Sequence, residues 1–481
     1  MHASDALSNM TQATVAAVSE DLLSRMDVTG PRYTSYPTAD RFVDAFTAEH
    51  YRQALQQRGE GMGVMANAVG GGSAPLSVYV HIPFCESVCY YCACNKVITK
   101  HHERAGEYLD ALEAEIALHV GVLGAGQVVS QLHFGGGSPT FLSDPELTRL
   151  MEALRRAFRL APGGEYSIEV DPRTVTPERL AHLASLGFNR LSFGVQDTDP
   201  DVQKAVHRVQ SWESVVDLVN VARDLHFESI NVDLIYGLPK QTRQTFERTI
   251  EQVAALQPDR IALYAYAHLP QRFKPQRRIH AADLPPGAEK ISMLSHAISG
   301  FLGAGYQYIG MDHFAKPSDA LAVAKRQGRL HRNFQGYSTQ PDCDLIALGV
   351  SAIGRMGATY SQNAKTLPEY YDAVRAGTFP IVKGIALSRD DLVRRAVIMA
   401  LMCQGRLVYE SIEVAHLIDI KSYFARELEQ LAPLAESGLI VIEPDGITVT
   451  PLGWYFVRAV AMVFDKNLQA DKALQRFSRI I

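Results

Sequence analysis

The sequence is short of several things, and each shortage closes a class of function. It has no run of about 18 uninterrupted apolar residues, so no transmembrane helix is expected. It has no surplus of positive charge: 47 Lys and Arg stand against 52 Asp and Glu, a formal net charge of −5, which argues against nucleic acid as a partner. The opening stretch "MHASDALSNMTQATVAAVSEDLLSRMD" lacks both a basic start and a continuous apolar core, so it does not read as a secretory signal. Tryptophan occurs twice and cysteine six times in 481 residues. A cytoplasmic protein is expected, and in that compartment thiols stay reduced. Clustered cysteines there read as metal or catalytic ligands before they read as disulfides.

What is present is a large apolar fraction, 47%, with 21% charged residues, the balance of a globular chain longer than one ordinary domain. Residues 1–58 read as a polar, partly helical N-terminal segment, and 59–75, "GEGMGVMANAVGGGSAP", as a glycine-rich linker. From 76 to 365 a βα rhythm repeats. Runs rich in β-branched and aromatic residues at 76–81, 129–134, 166–170, 190–195, 229–236 and 260–266 alternate with helical periodicity. Helix starts are marked by Ser143 with Glu146, a capping-box spacing, and by Thr176 before Pro177. Six strands separated by helices imply a parallel sheet with right-handed crossovers, doubly wound or barrel-like. The candidate functional residues fall at or after the ends of successive strands, which favours the barrel. Residues 366–481 read as a small, mainly helical domain with a β-hairpin at Asp445-Gly446. A DNA-binding wing is disfavoured there because 410–443 is not basic.

Four of the six cysteines, Cys85, Cys89, Cys92 and Cys94, fall within ten residues in "YVHIPFCESVCYYCACNK"; Cys343 and Cys403 stand alone and read as buried apolar residues. Zinc frameworks usually pair two C-x2-C knuckles, and no second pair exists here. One loop carrying three thiolates suits an iron–sulfur cubane, in which each iron takes one ligand. If Cys85, Cys89 and Cys92 are the ligands, one iron is left open to a small molecule. A structural zinc, a closed four-cysteine cluster and no metal at all stay open on spacing alone. Cys94, two residues from Cys92, is placed near the cluster and outside its ligand set.

The C-x3-C-x2-C spacing with Tyr91 before the third cysteine resembles the radical S-adenosylmethionine (SAM) superfamily. The longer strings "RYTSYPTA" from Arg32, "HFGGGSPT" from His133, "SIEVDPRT" from Ser167 and "HRNFQGY" from His331 resemble the oxygen-independent coproporphyrinogen III oxidase family in particular. Tyr91 stands where relatives often carry Phe and Ser138 where they often carry Thr, conserving aromatic or hydroxyl character. Cys94 favours the enzyme over the related haem-chaperone branch, which generally lacks it and is the alternative reading.

The resemblance implies an α/β fold, an incomplete (β/α)6 barrel, with a [4Fe–4S] cluster whose open iron is chelated by SAM. It further implies two SAM molecules and a 5′-deoxyadenosyl radical that converts two propionates of coproporphyrinogen III to vinyl groups. Carried over as cofactor contacts are Tyr79, Tyr91, Gly135, Gly136, Gly137, Glu169 and Ile353 around the first SAM, and Gln196, Arg208, Asp233 and Ala267 around the second. Several also have a plainer reading. A glycine trio after a strand is often only a turn, although here the absence of a G-K-[ST] ending excludes a P-loop; Glu169 would suit a surface salt bridge, Tyr79 and Ile353 the core. Asp233 lies among β-branched residues and needs a partner, for which Arg208 is a candidate; otherwise Arg208 would hold a SAM carboxylate. A substrate with four propionates calls for cations, and "QRFKPQRRIH" at 271–280 supplies Arg272, Lys274, Arg277 and Arg278, unless the run is merely solvated surface. Arg32, Tyr36, His331 and Arg332 are weaker candidates, the N-terminal segment being a possible lid. A low-potential, flavodoxin-like reductant, an unidentified electron acceptor and a monomeric state complete the expectations.

Overall fold

A computed structural model of the chain describes residues 20–26, 30–59, 74–340 and 342–470. The expected linker at 59–75 lies almost wholly outside them, as do 1–19 of the N-terminal segment. All six expected strands form: β1 (Leu76–Ile82), β2 (Gln127–Gly136), β3 (Phe158–Val170), β4 (Arg190–Gln196), β5 (Ser229–Tyr236) and β6 (Arg260–Ala265). They pair in sequence order, every neighbour parallel. The crossovers carry helices α1 (Arg104–Leu123), α2 (Asp144–Ala157), α3 (Pro177–Ser185), α4 (Pro200–Ala205), α5 (Trp212–Asp224) and α6 (Arg243–Leu256). The helix-start signals act as read. The Glu146 carboxylate accepts from the Ser143 backbone N–H at 2.8 Å, and the Thr176 hydroxyl accepts from the Arg179 N–H at 3.3 Å.

The sheet is larger than expected. Six further strands extend it at both ends: β7 (Gln307–Gly310), β8 (His313–Ala315), β9 (Leu345–Leu348), β10 (Ile353–Met356), β11 (Thr359–Asn363) and β12 (Ile381–Ala386). The order is β12-β11-β10-β9-β1-β2-β3-β4-β5-β6-β8-β7. β9 is a seventh parallel strand, with Ser77 opposite Leu345, whereas β8 and β10 to β12 run antiparallel to their neighbours. The two ends do not pair with each other, so the barrel is incomplete. The boundary expected at 365/366 falls inside this sheet, between β11 and β12.

Period-two alternation divides each strand between two environments. In β4, Leu191, Phe193 and Val195 are buried while Arg190, Ser192, Gly194 and Gln196 are half-buried; in β5, Asn231 and Asp233 are the half-buried pair among buried neighbours. The apolar face packs against the helices in one large core. The polar face turns inward. Residues from the loop after β1 and Tyr264 on β6 wall the same cavity, although four strands lie between β1 and β6 in the sheet, so the sheet curls around that space.

Below the cavity the interior is filled by the hairpin His331–Asn333/Gly336–Ser338. Gln131 on β2 donates to the Ser338 hydroxyl at 3.0 Å, and Gln335 donates to the Val78 carbonyl on β1 at 3.4 Å. The C-terminal region opens with α7 (Arg389–Gln404). Its hairpin at Asp445-Gly446 is joined by a third strand, Arg406–Val408, that the sequence did not reveal. This region has its own apolar cluster, which includes Tyr33 and Tyr36. The segment from Gly30 to Phe46 is threaded between it and the sheet edge: Tyr33 donates to Asp465 at 3.0 Å, Arg458 donates to the Gly30 carbonyl, and Val43 bridges to Gly384 on β12. Among the described residues no helix is long and apolar enough to cross a membrane.

Candidate active site

The cysteine loop is pinched at its base by a two-stranded pairing in which Phe84 faces Val97 and Cys85 faces Ile98. Cys89 is buried, Cys85 and Cys92 are half-buried, and Cys94 is exposed. All four border a cavity of about 500 Å³. Cys94, hydrogen-bonded to Cys92, pulls the Cys92 thiol down to about 5, against burial and with help from Lys96. Burial pushes the Cys85 thiol up to about 12. The Cys89 sulfur accepts from Arg173 at 3.6 Å and Arg208 at 3.5 Å. Among the described residues no three His, Cys, Asp or Glu donors converge on a point that one metal ion would occupy.

The glycine trio closes β2 against this loop. Gly137 donates to the Ile82 carbonyl at 2.8 Å, and a Cβ there would lie 2.6 Å from the Pro83 carbonyl oxygen. A Cβ on Gly136, at φ +119°, would meet the His81 ring at 2.7 Å, and one on Gly135 would meet Glu169 at 2.8 Å. The missing side chains thus first make room for the chain's own loop and for Glu169; Gly136 and Gly137 then border the cavity. Glu169 accepts from the Gly136 N–H at 3.2 Å and lies 3.3 Å from His133 Nε2. Tyr79 stacks on His133 with ring centroids 5.9 Å apart and sits behind Glu169, outside the cavity wall.

Arg208 does not pair with Asp233. Its guanidinium reaches Asp171 at 3.2 Å and the Gly194 carbonyl at 2.6 Å, and Arg173 binds the same Asp171 at 2.7 Å. The two guanidiniums hold the Asp171 carboxyl below its ordinary range in spite of burial. Asp233 instead accepts from Ser192 at 3.1 Å and Asn231 at 2.8 Å. Burial, with the nearby Glu169 charge, pushes its carboxyl up to about 6. Gln196 ends β4 at φ +70°, a left-handed conformation uncommon for a side chain, and it borders the cavity with Asp233, Arg208, Glu169 and Tyr91.

Other expected residues lie outside the cavity wall. The Ala267 carbonyl accepts from Gln276 at 3.2 Å, and the same amide binds the Tyr91 carbonyl at 3.0 Å, so Ala267 braces the cysteine loop from behind. Ile353 is half-buried at the start of β10, opposite Gln362. Tyr36 is fully buried in the C-terminal cluster, an apolar packing role that puts it out of a substrate's reach. Arg272, Lys274, Arg277 and Arg278 are exposed, and of these Arg278 reaches the cysteine loop, donating to the Tyr90 hydroxyl at 3.2 Å. His331 and Arg332 belong to the interior hairpin. Sequence reasoning passed over Asp171, Arg173, Ser192, Asn231 and Tyr264. Asp171 and Arg173 lie inside the quoted "SIEVDPRT", and strand alternation puts Ser192, Asn231 and Asp233 on one face.

An oxygen-independent coproporphyrinogen III oxidase from Escherichia coli K12 is 48% identical over 460 residues, 96% of this chain and 98% of its own length. The chain belongs to that family. A member from Pseudomonas aeruginosa is also 48% identical, over 463 residues covering 96% and 98% of the two chains. Residues 79–253 match the radical SAM superfamily and 387–456 the HemN C-terminal domain. The solved structure of coproporphyrinogen III oxidase (HemN) from Escherichia coli, described as a radical SAM enzyme, superposes with a TM-score of 0.85 over 91% of this chain and 98% of its own. For a family member, the donor set fits a [4Fe–4S] cluster and SAM: three thiols on one loop, two guanidiniums against the Cys89 sulfur, and carboxylates facing the same cavity.

Proposed function

We propose that this chain carries out the oxygen-independent oxidative decarboxylation of two propionates of coproporphyrinogen III to vinyl groups, giving protoporphyrinogen IX in haem biosynthesis. Full-length likeness to enzymes of that name, with the cysteine loop opening on a cavity that the strand ends enclose, carries the reading. Each conversion removes one hydrogen atom, one carbon dioxide and one electron, the electron passing to an acceptor of unknown identity. When bound, the cluster and SAM supply the one-electron chemistry that abstracts the hydrogen.

Cys85, Cys89 and Cys92 would hold the cluster, with Cys94 beside it as a hydrogen-bond donor to Cys92. Glu169, braced by Gly136 and His133, would accept hydroxyls of the first SAM, with Tyr91 and Gly137 shaping its bed. Gln196, Arg208 and Asp233 form a second polar group on the same cavity, which supports a second SAM. The Asp171–Arg173–Arg208 assembly orients guanidinium N–H groups at the Cys89 sulfur and stabilises negative charge there. The strand walls and the interior hairpin exclude water from the reacting end. A low-potential flavodoxin-like protein would deliver the electron. A monomer suffices, since one chain supplies every wall of the cavity, and the cytoplasm keeps its thiols reduced.

The test is anaerobic: reconstitute with iron and sulfide, reduce, add SAM and coproporphyrinogen III, and follow 5′-deoxyadenosine and tetrapyrroles by mass spectrometry. Two successive decarboxylations with deoxyadenosine formation are expected. Deoxyadenosine with an unchanged tetrapyrrole would overturn the substrate, and an intact cluster giving neither product would overturn the reaction.

A further inference from the structure

Tyr264, at the end of β6, is a wall of the cavity, and behind it lies a group of charges that the cluster and SAM do not use. The Arg32 guanidinium sits 5.2 Å from the centre of the Tyr264 ring and 3.4 Å from the Asp312 carboxylate, with 29% of its side chain exposed. Arg332, only 4% exposed, donates from Nε to the Arg32 carbonyl at 3.2 Å, and its guanidinium lies 4.7 Å from the Tyr337 ring centre. Its Nη1 is buried without a hydrogen-bond partner. Arg458, 3% exposed, adds a third guanidinium whose charge acts on both Arg32 and Asp312. His313 packs edge-on against both Tyr264 and Tyr337; its Nδ1 is bound to the Met311 carbonyl at 2.7 Å, and burial keeps the ring neutral.

Arg32 alone pairs with Asp312, and the charges of Arg332 and Arg458 act on the same carboxylate in a largely desolvated place. A buried cation without a full set of acceptors is costly, and here cations outnumber the one carboxylate and Arg332 Nη1 has no acceptor. Two turn residues in the left-handed region, Met311 at φ +46° and Asp312 at φ +69°, fix Asp312 beside Arg32. Apolar packing would have been simpler. Tyr264 lines the cavity and the two arginines lie behind it, so a planar carboxylate would accept from Arg32 and from the enclosed Arg332 Nη1 once the Tyr264 and Arg32 side chains shift aside, completing both.

We propose that Arg32 and Arg332 form a carboxylate subsite at the Tyr264 side of the cavity that grips a propionate of the tetrapyrrole. This rests on the substrate reading above and goes further, because it says which kind of propionate is held. Loss of carbon dioxide discharges a carboxylate, so a site that stabilises that charge opposes the loss. The subsite takes a propionate that survives the reaction and, by anchoring it, fixes which ring presents its side chain to the reacting end. Arg32 and Arg332 are positioning residues.

The experiment measures binding to the anaerobically reconstituted, full-length protein by fluorescence of coproporphyrin III, a stable oxidised stand-in for the substrate, and of its tetramethyl ester. SAM binding is measured separately by calorimetry, since the SAM carboxylate is the other source of the same chemistry. The native protein should prefer the free acid. Arg32→Gln, at a half-exposed position, should weaken coproporphyrin III about tenfold or more, erase the preference over the ester and leave the SAM affinity unchanged. Arg332→Lys, which retains the charge and loses the planar fork, should fall between, so the inference survives a failure of either variant to fold. Arg326→Gln, an exposed control, should change nothing. Native binding of coproporphyrin III with both variants equally tight would overturn the subsite alone, and weakened SAM with unchanged coproporphyrin III would reassign it to the cofactor. A native protein that ignores coproporphyrin III altogether would overturn the substrate reading beneath it.

Discussion

Asp233 is the residue whose ionisation the fold alters most usefully. Its carboxyl keeps a proton up to about pH 6 in the folded chain, against 3.8 for an ordinary aspartate, because burial and the Glu169 charge oppose ionisation more than Ser192 and Asn231 support it. The folded state therefore binds more protons than the unfolded one between those values. Stability contributed by this group is present below pH 3.8 and is lost as pH rises through 6. Asp233→Asn should accordingly raise the melting temperature of the SAM-free protein at pH 7.5 by about 2–5 °C, with the gain shrinking toward pH 4, while catalysis falls. Anaerobic melting curves across pH check the sign; a loss of stability at pH 7.5 would contradict it. The cysteines divide in the same residue-level way. Cys89→Ser should abolish cluster assembly, read as lost iron and visible absorption, since the Cys89 sulfur is the one that Arg173 and Arg208 both face. Cys94→Ser should retain the iron; its loss would make Cys94 a ligand.

At the scale of elements, the junction of β2 with the cysteine loop is the sensitive point. Gly137→Ala would drive a methyl group against backbone atoms of Pro83 and Phe84, at 2.6 to 2.8 Å, atoms that cannot rotate away. A cost of about 1–3 kcal/mol is expected, with reduced iron uptake because Phe84 and Cys85 must shift. Gly121→Ala, inside α1 with open space around it, should instead be neutral or stabilising by up to about 1 kcal/mol. Thermal unfolding and iron content measured together check the contrast. These elements also show what was legible in advance. The six central strands are β-branched or aromatic runs bounded by helix caps, all local signals, and each was readable. β9, "LIAL", is four residues long and finds its partner at Ser77, so nothing in its own neighbourhood declares it a strand. For the same reason the hairpin of 331–338 was readable as a motif and not as a filling of the barrel interior. The site followed this divide: the thiols, glycines and Asp233 stand out locally, whereas the Asp171–Arg208 pairing joins residues 37 apart in sequence and appears only once β3 and the chain after β4 are side by side.

For the whole molecule, the formal charge of −5 conceals an uneven surface, and the basic run of 271–280 would suit the docking of an acidic reductant. It stands outside the cavity, against the cysteine loop: Arg278 lies over the Tyr90 ring at 5.2 Å, Tyr90 stacks on His207 with centroids 5.1 Å apart, and Gln276 holds the Tyr91 carbonyl. Tyr90 adjoins Cys89 in the chain. An acidic redox protein drawn to this run would, through Arg278, arrive beside the loop that carries the cluster ligands. Attraction of this kind acts mainly on the encounter rate and weakens with salt. Reduction of the cluster by an acidic flavodoxin should slow severalfold between 50 and 500 mM salt, and Arg278→Glu should slow it about fivefold or more at low salt. Reduction by dithionite should be insensitive to the substitution, which separates docking from damage to the loop. A flavodoxin rate indifferent to both salt and charge reversal would move the electron's entry to another face and leave the basic run as solvated surface.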